Sequence, residues 1–382
     1  MLLRRRRADA SVHDVGARTT AASRVTVRAM PTGVEAASAA TLILAATVAG
    51  TVWRLSRFRT PDADDSAPTA ATPAEPGPEP PWAVVVANPT KFTDADAEVE
   101  WLEERSVELG WARPVWLETT VDDPGVGQTR VGVRAGAHAV LAYGGDGTVR
   151  AVASALTDTG VPLGLLPAGT GNLLARNLAV PFTDLDAALA VALTGPERRI
   201  DVGSAQIDVS GEDQPPRTET FLVMAGLGFD AEVMATVGHR LKQRVGWWAY
   251  VVAGTRRLRG RQTKVLIRLD DGEPLRRRLR SVIVGNCGEL TGGVRLMPEA
   301  KIDDGRLDVV VVAPRGVAGW LAVTGAVLTR SRWGHPVVEH FTCERIEVRA
   351  EKPLHVQLDG DPAGMARVLR AEVRSAALVV RS

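Results

Sequence analysis

His138-Ala-Val-Leu-Ala-Tyr143 runs directly into Gly144-Gly145-Asp146-Gly147-Thr148, and Val149 to Leu156 continues with helical spacing. A short apolar run, a glycine turn and an amphipathic run predict strand, turn and helix. Glycines let a backbone approach a phosphate closely, and the N-terminus of the helix that follows favours an anion. Taken alone, the turn serves equally well as a plain β–α connection. Its neighbours decide between the two.

Trp82 to Ala87 (WAVVVA) is a predicted buried strand that ends in Asn88-Pro89-Thr90-Lys91. Ala95 to Leu109 has helical spacing, Val115 to Thr119 is a second strand, and Gly125 to Ala135 a second helix. Val161 to Leu166 is the strand after the opening motif. It ends in Pro167-Ala-Gly169-Thr170-Gly171-Asn172 and leads into the helical run Leu173 to Leu178. Strands alternating with helices predict a parallel α/β sheet, which binds ligands beyond the C-terminal ends of its strands. Three such ends carry small hydroxyls, Thr90, Thr148 and Thr170. Backbone donors and hydroxyls there suit the phosphates and sugar of a nucleotide. Arg176 and Asn177 on the helix after the third turn belong either to that site or to a solvated face.

After Glu197 the texture becomes mainly β. Ile200–Val209, Thr220–Met224, Lys264–Leu269, Ser281–Val284, Leu307–Val312, Arg345–Arg349, Leu354–Leu358 and Ala371–Val380 are predicted strands. Val245 to Leu258 is a helix candidate with Trp247, Trp248 and Tyr250, set among eight arginines and lysines between Arg240 and Lys264. Aromatics beside bases suit an anionic lipid surface; a core aromatic face with solvated bases is the alternative. No recognised nucleic-acid motif accompanies the bases. Two acidic clusters remain. Asp303-Asp304-Gly305-Arg306-Leu307-Asp308 suits a hard cation such as Mg²⁺ or a simple hairpin turn. Leu358-Asp359-Gly360-Asp361 offers two carboxylates across a glycine, for general-base or metal work or again for a turn.

The 382 residues suffice for about two domains, and the net charge of +1 carries no polyelectrolyte signature. The charge is uneven, however. Residues 1–30 hold seven arginines against two acids, and residues 61–81 hold five acids, seven prolines and no base. The basic head, residues 1–35, lacks an apolar period and is expected to be disordered. Its arginines suit anionic lipid, although Met30 is an alternative start. Ala36 to Trp53 is uncharged and close to the minimum length for a membrane span, with Arg54, Arg57 and Arg59 beyond it. A retained single-pass anchor is the expectation and a signal peptide the competitor. With Met30 as the start, the positive-inside rule places the C-terminal bulk of the chain in the cytoplasm. Residues 54–81 read as a stiff, solvated linker. Cys287 and Cys343 are the only cysteines, so neither a disulfide framework nor a cysteine zinc site is expected.

From Trp82 to the C-terminus the chain resembles the diacylglycerol kinase catalytic-domain family, bacterial soluble-type lipid kinases that are also similar to sphingosine kinases. The resemblance is carried by Gly144–Thr148, by Pro167–Asn172, and by Gly285-Asn286 with Thr291-Gly292-Gly293. Pro298 with Asp303–Asp308, and Leu358–Asp361, complete it. Gly144–Thr148 alone is shared with NAD kinases; the ordered blocks are specific. The resemblance implies an α/β nucleotide domain over 82–197 and a mainly β, sandwich-like domain over 198–382, with a cleft between them. It implies ATP binding by Gly144, Gly145, Asp146, Gly147, Thr148, Val149 and Arg150, with Thr90 and Thr170 as further contacts. It implies that Asp361 is the proton acceptor. It also implies a Mg²⁺ site formed by the carbonyls of Lys301 and Arg306 and the carboxylate of Asp304. Two departures stand out: Asp361 occupies a position usually held by Glu, and Leu173 one where many members carry an acid.

Phosphoryl transfer asks mainly for positioning and charge neutralisation. The resemblance implies a kinase acting on a lipid hydroxyl, most naturally converting diacylglycerol to phosphatidic acid. Asp146 is expected to bind, directly or through water, a magnesium that bridges the ATP phosphates, with Asp361 as the base and Asp359 orienting it or sharing the metal. The partners expected are ATP, a membrane lipid and the membrane, with a homodimer open and no nucleic acid. The rivals are an NAD kinase-like enzyme, for which the chain lacks the Asn-Glu pair downstream of the glycine turn, and a non-catalytic lipid-binding regulatory protein.

Overall fold

The computed structural model describes residues 79–209, 215–228, 262–290, 294–295, 297–314 and 338–382, all within one compact unit, Pro76–Ser382. The head, the 36–53 run, most of the linker, the Val245–Leu258 candidate and Thr291-Gly292-Gly293 lie outside the described residues.

The first half alternates strand and helix. The strands are β1 (Ala83–Ala87), β2 (Val115–Glu118), β3 (Ala139–Gly144) and β4 (Leu163–Pro167). The helices are α1 (Ala95–Glu108), α2 (Val126–Arg134), α3 (Asp146–Leu156), α4 (Leu173–Asn177) and α5 (Leu185–Thr194). The strands pair in parallel in the order β2-β1-β3-β4. β1 and β3 are buried along their whole length because helices cover both faces. Alternate residues divide between two cores. Val84, Val86, Val140 and Ala142 meet Val152 and Leu156 of α3. Ala83, Val85, Leu141 and Tyr143 meet Leu102 of α1 and Leu189 of α5. Asp94 and Asp184 cap α1 and α5, their carboxylates accepting from the Ala97 and Ala187 amides. Helix α5 was not anticipated: its apolar residues crowd nearly the whole helix, so its periodic signal is weak.

The second half is antiparallel. It contains β5 (Glu197–Asp208), β6 (Arg217–Phe221), β7 (Met224–Leu227), β8 (Thr263–Leu269), β9 (Leu275–Leu279) and β10 (Ser281–Gly285). Then follow β11 (Glu289–Leu290), β12 (Val294–Arg295), β13 (Leu307–Val312), β14 (Val338–Cys343), β15 (Arg345–Leu358) and β16 (Asp361–Arg381). Three predicted boundaries move. Thr220–Met224 is divided between β6 and β7. Arg345–Arg349 and Leu354–Leu358 are one strand with an irregularity between Arg349 and Leu354. Ala371–Val380 is the end of a 21-residue strand. β9, β14 and the two-residue β11 and β12 were missed: three successive arginines fill β9, and the adjacent Glu339 and His340 break the alternation of β14.

β16 joins the halves. One edge pairs antiparallel with β15 and then, at Val380, in parallel with Leu163 of β4. The other edge pairs with β5 from Val368 to Arg381. The result is a single hydrogen-bonded sheet from β2 to β14. An α/β N-terminal part and a β-rich C-terminal part are therefore present as expected. The expected single-pass membrane placement is corrected. Among the described residues no helix is long and apolar enough to cross a membrane, and the 36–53 run on which that placement rested lies outside them.

Candidate active site

The turns after β1, β3 and β4 meet at one sheet edge because those strands are adjacent and parallel. The Asn88 amide donates to the Tyr143 carbonyl at 2.9 Å, and the Ala168 amide to the Gly144 carbonyl at 2.9 Å. Gly145 and Gly169 lie back to back: a Cβ on Gly169 would stand 2.7 Å from the Gly145 Cα. Asn172 occupies the left-handed region with φ of 48°. Its side chain accepts from the Gly169 amide and donates to the Gly169 carbonyl, closing the turn on itself.

Asp146 opens α3 and ties the two glycine turns together. Its Oδ2 accepts from the Asn172 amide at 3.0 Å and its Oδ1 from the Leu173 amide at 2.6 Å. Burial, followed by the charges of Asp359 and Asp361, pushes its carboxyl up to about 6, against the two amide donors. Gly145, the residue before α3, caps the helix with no side-chain hydrogen bond. The other expected ATP contacts divide. Thr148 is buried beneath Gly144, where a Cβ would collide with it, and Val149 packs in the core. Thr90 and Thr170 are exposed, and the Thr90 hydroxyl donates to Asn88 Oδ1 at 2.8 Å.

The opposing wall is the β15–β16 hairpin, which brings Asp359 and Asp361 some two hundred residues back to α3. Asp359 and Gly360 form its two-residue turn, with φ of 49° and 89°. The buried Asp359 carboxylate accepts from the amides of Leu222, Val223 and Met224 at 2.8–3.2 Å. Burial pushes its carboxyl up, while Arg150 and these amides favour the charged form. Asp361 is half exposed. Its Oδ2 would be 3.3 Å from a Cβ on Gly147, so the hairpin tip rests against the glycine turn. Arg150 bonds to the hairpin: it donates to the Leu358 carbonyl at 2.9 Å and to Asp361 Oδ2 at 3.1 Å.

Lys301, Asp304 and Arg306 stand apart, in the loop before β13. Asp304 Oδ1 accepts from the Arg306 amide at 3.0 Å. Burial first, and then the charges of Asp304 and Glu299, raise the Asp308 carboxyl. One carboxylate with two carbonyls fits a hard cation in donor type. Among the described residues no group of three or more His, Cys, Asp or Glu is arranged to hold a metal.

Two connections went unread in the sequence. Asp201, buried on β5, accepts from the Gly305 amide at 2.6 Å and the Ala376 amide at 2.7 Å, fastening the loop before β13 to β16. The available signal was a lone carboxylate inside the apolar run Ile200–Val202. Asn177, read as a site residue or a solvated one, exchanges hydrogen bonds with the Glu289 backbone and docks α4 on β11.

Both halves of the chain are similar to known proteins. The diacylglycerol kinase catalytic domain matches residues 116–205, and the YegS C-terminal NAD kinase beta sandwich-like domain matches residues 223–381. A "Probable lipid kinase YegS-like" of Pseudomonas putida is 34% identical over 247 residues, 64% of this chain and 77% of that protein. A diacylglycerol kinase of Bacillus subtilis is 28% identical, over 59% of this chain and 72% of that protein. The crystal structure of a diacylglycerol kinase from Bacillus anthracis shares the fold, with a TM-score of 0.58 at 19% identity over 79% of this chain and 96% of that one. The chain belongs to the diacylglycerol kinase catalytic-domain family, among the YegS-like lipid kinases.

Proposed function

We propose that this kinase transfers the γ-phosphate of ATP to the hydroxyl of a membrane lipid, with diacylglycerol the acceptor and phosphatidic acid the product. The observation that carries the reading is the apposition of Asp361 to the Gly144–Thr148 turn, a carboxylate placed against a phosphate cradle. In this reading the backbone of Gly144, Gly145 and Gly147 holds the ATP phosphates, with Thr90 and Thr170 as exposed hydroxyls at the same edge. Asp361 accepts the proton of the attacking hydroxyl, and Asp359 fixes the turn that carries it. The two amides on Asp146 suit it to holding the glycine turns in register rather than to ligating a metal directly. Thr148 and Val149 support the cradle from within the core.

The nucleotide part is assigned to 82–197 and the acceptor part to 198–382. The Lys301 and Arg306 carbonyls and the Asp304 carboxylate are the residues assigned to hold Mg²⁺, which when bound would neutralise the carboxylate-rich loop.

The test is to incubate the full-length chain with γ-labelled ATP, magnesium and a total lipid extract, then identify labelled products by mass spectrometry. Labelled phosphatidic acid is the expected result. ATP binding without any labelled lipid would favour a non-catalytic lipid-binding protein, and labelled NADP from added NAD the NAD kinase reading.

A further inference from the structure

The two walls of the site are joined by one side chain. Arg150 lies four residues after Asp146 in α3, and its guanidinium addresses the tip of the β15–β16 hairpin. One nitrogen donates to the Leu358 carbonyl and another to Asp361 Oδ2, while Asp359 Oδ2 lies 3.8 Å away. The Arg150 side chain is 20% exposed but Asp361 is half exposed, so water partly screens their ion pair, and the bond to the Leu358 carbonyl is the more sheltered of the two. A planar fork can meet a carbonyl and a carboxylate at once, whereas an ammonium is a point charge. The tip it grips is the Asp359-Gly360 turn, which the Asp359 carboxylate also fastens to the amides of Leu222, Val223 and Met224; Arg150 is its side-chain tie to α3.

The family resemblance places Arg150 among the ATP contacts. Here its hydrogen bonds run to the acceptor side.

We propose that Arg150 is the positioning residue of this kinase: it fixes the Leu358–Asp361 tip against α3 and so sets the reach of Asp361 to the phosphate cradle. The guanidinium touches the base rather than the reacting phosphate. Its loss lets the tip drift and lowers turnover without removing the nucleotide site. The turnover and nucleotide-affinity arms of the test rest on the kinase reading; the exchange arm does not.

Full-length wild type, Arg150→Ala and Arg150→Lys are compared by three measurements. These are affinity for a fluorescent ATP analogue, kcat and KM for lipid phosphorylation, and amide exchange by mass spectrometry across residues 356–366. For Arg150→Ala, kcat falls about 10- to 100-fold, the loss typical of a misplaced catalytic group. Nucleotide affinity changes less than about threefold, and exchange at Gly360 and Asp361 quickens about tenfold as the tip opens locally. Arg150→Lys recovers part of kcat, and millimolar guanidinium restores turnover to Arg150→Ala but not to Asp361→Ala. Lost nucleotide affinity with kcat unchanged would make Arg150 a phosphate contact and overturn the proposal. Unchanged exchange at the tip overturns it too. Should wild type phosphorylate no lipid, the kinase reading fails alone and the exchange measurement still decides Arg150. If Arg150→Ala does not fold, Arg150→Lys is read by the same criteria.

Discussion

Asp361 and Asp146 are both carboxylates of one site, but their surroundings give them different work. Asp361 is half exposed, as the base proposed for a substrate hydroxyl must be. Replacing it with alanine is expected to lower kcat by about 10²- to 10⁴-fold, the usual weight of a general base, with ATP affinity nearly unchanged in a binding titration. Asp146 has given both oxygens to backbone amides. Its carboxyl rises from an ordinary 3.8 to about 6, so between these values the folded chain holds a proton that the unfolded chain has lost. Raising the pH through that window therefore costs stability, up to roughly 3 kcal/mol, and the loss is complete above the folded value. Urea unfolding at pH 4.5 and pH 7 should show wild type losing more stability across the window than Asp146→Asn; parallel behaviour of the two proteins would refute it. The acidic residues of this site could be read from the sequence as turn carboxylates. Their different surroundings could not, because exposure and donor count are set by elements far apart in the chain.

At the scale of elements, the glycine turns work as a pair. A methyl at Gly169 would press on the Gly145 backbone, which has no flexible side chain to move aside. Gly169→Ala is therefore expected to cost about 1–3 kcal/mol by overpacking and to weaken ATP binding together with stability, as thermal melts with and without ATP would show. Strand–turn–helix units with strong periodicity, such as β3 with α3, were legible locally. The pairing of Gly145 with Gly169 followed only in outline from adjacent parallel strands. Thr148 shows the limit: its place in the motif suggests a ligand contact, but helix geometry turns it under Gly144 into the core.

At the scale of the whole molecule, β16 makes the two halves one folding unit. Leu378 is fully buried and its strand pairs with β5 beside the junction to β4. Leu378→Ala is expected to cost about 2–5 kcal/mol through lost burial and a residual cavity. Because the sheet is continuous, the loss should appear as one calorimetric transition shifted down for both halves, rather than as a separate early melt of the C-terminal part. Two resolved transitions in the variant would count against this coupling. Asp201 gives the same result from a smaller feature, since a single carboxylate fastens the loop before β13 to β16.

The sequence by itself determined the parallel α/β beginning, the β-rich remainder, the glycine turns and the Asp359–Asp361 turn, because each is written in local periodicity or in residues with special backbone freedom. It also carried the ordered blocks that mark the kinase family. Only the tertiary structure decided that Asp361 rests on Gly147, that Arg150 grips the hairpin, and that Asp201 joins β5 to the loop before β13. Those are contacts across more than a hundred residues, fixed by strand order and register. A local pattern cannot encode which strand will lie beside which.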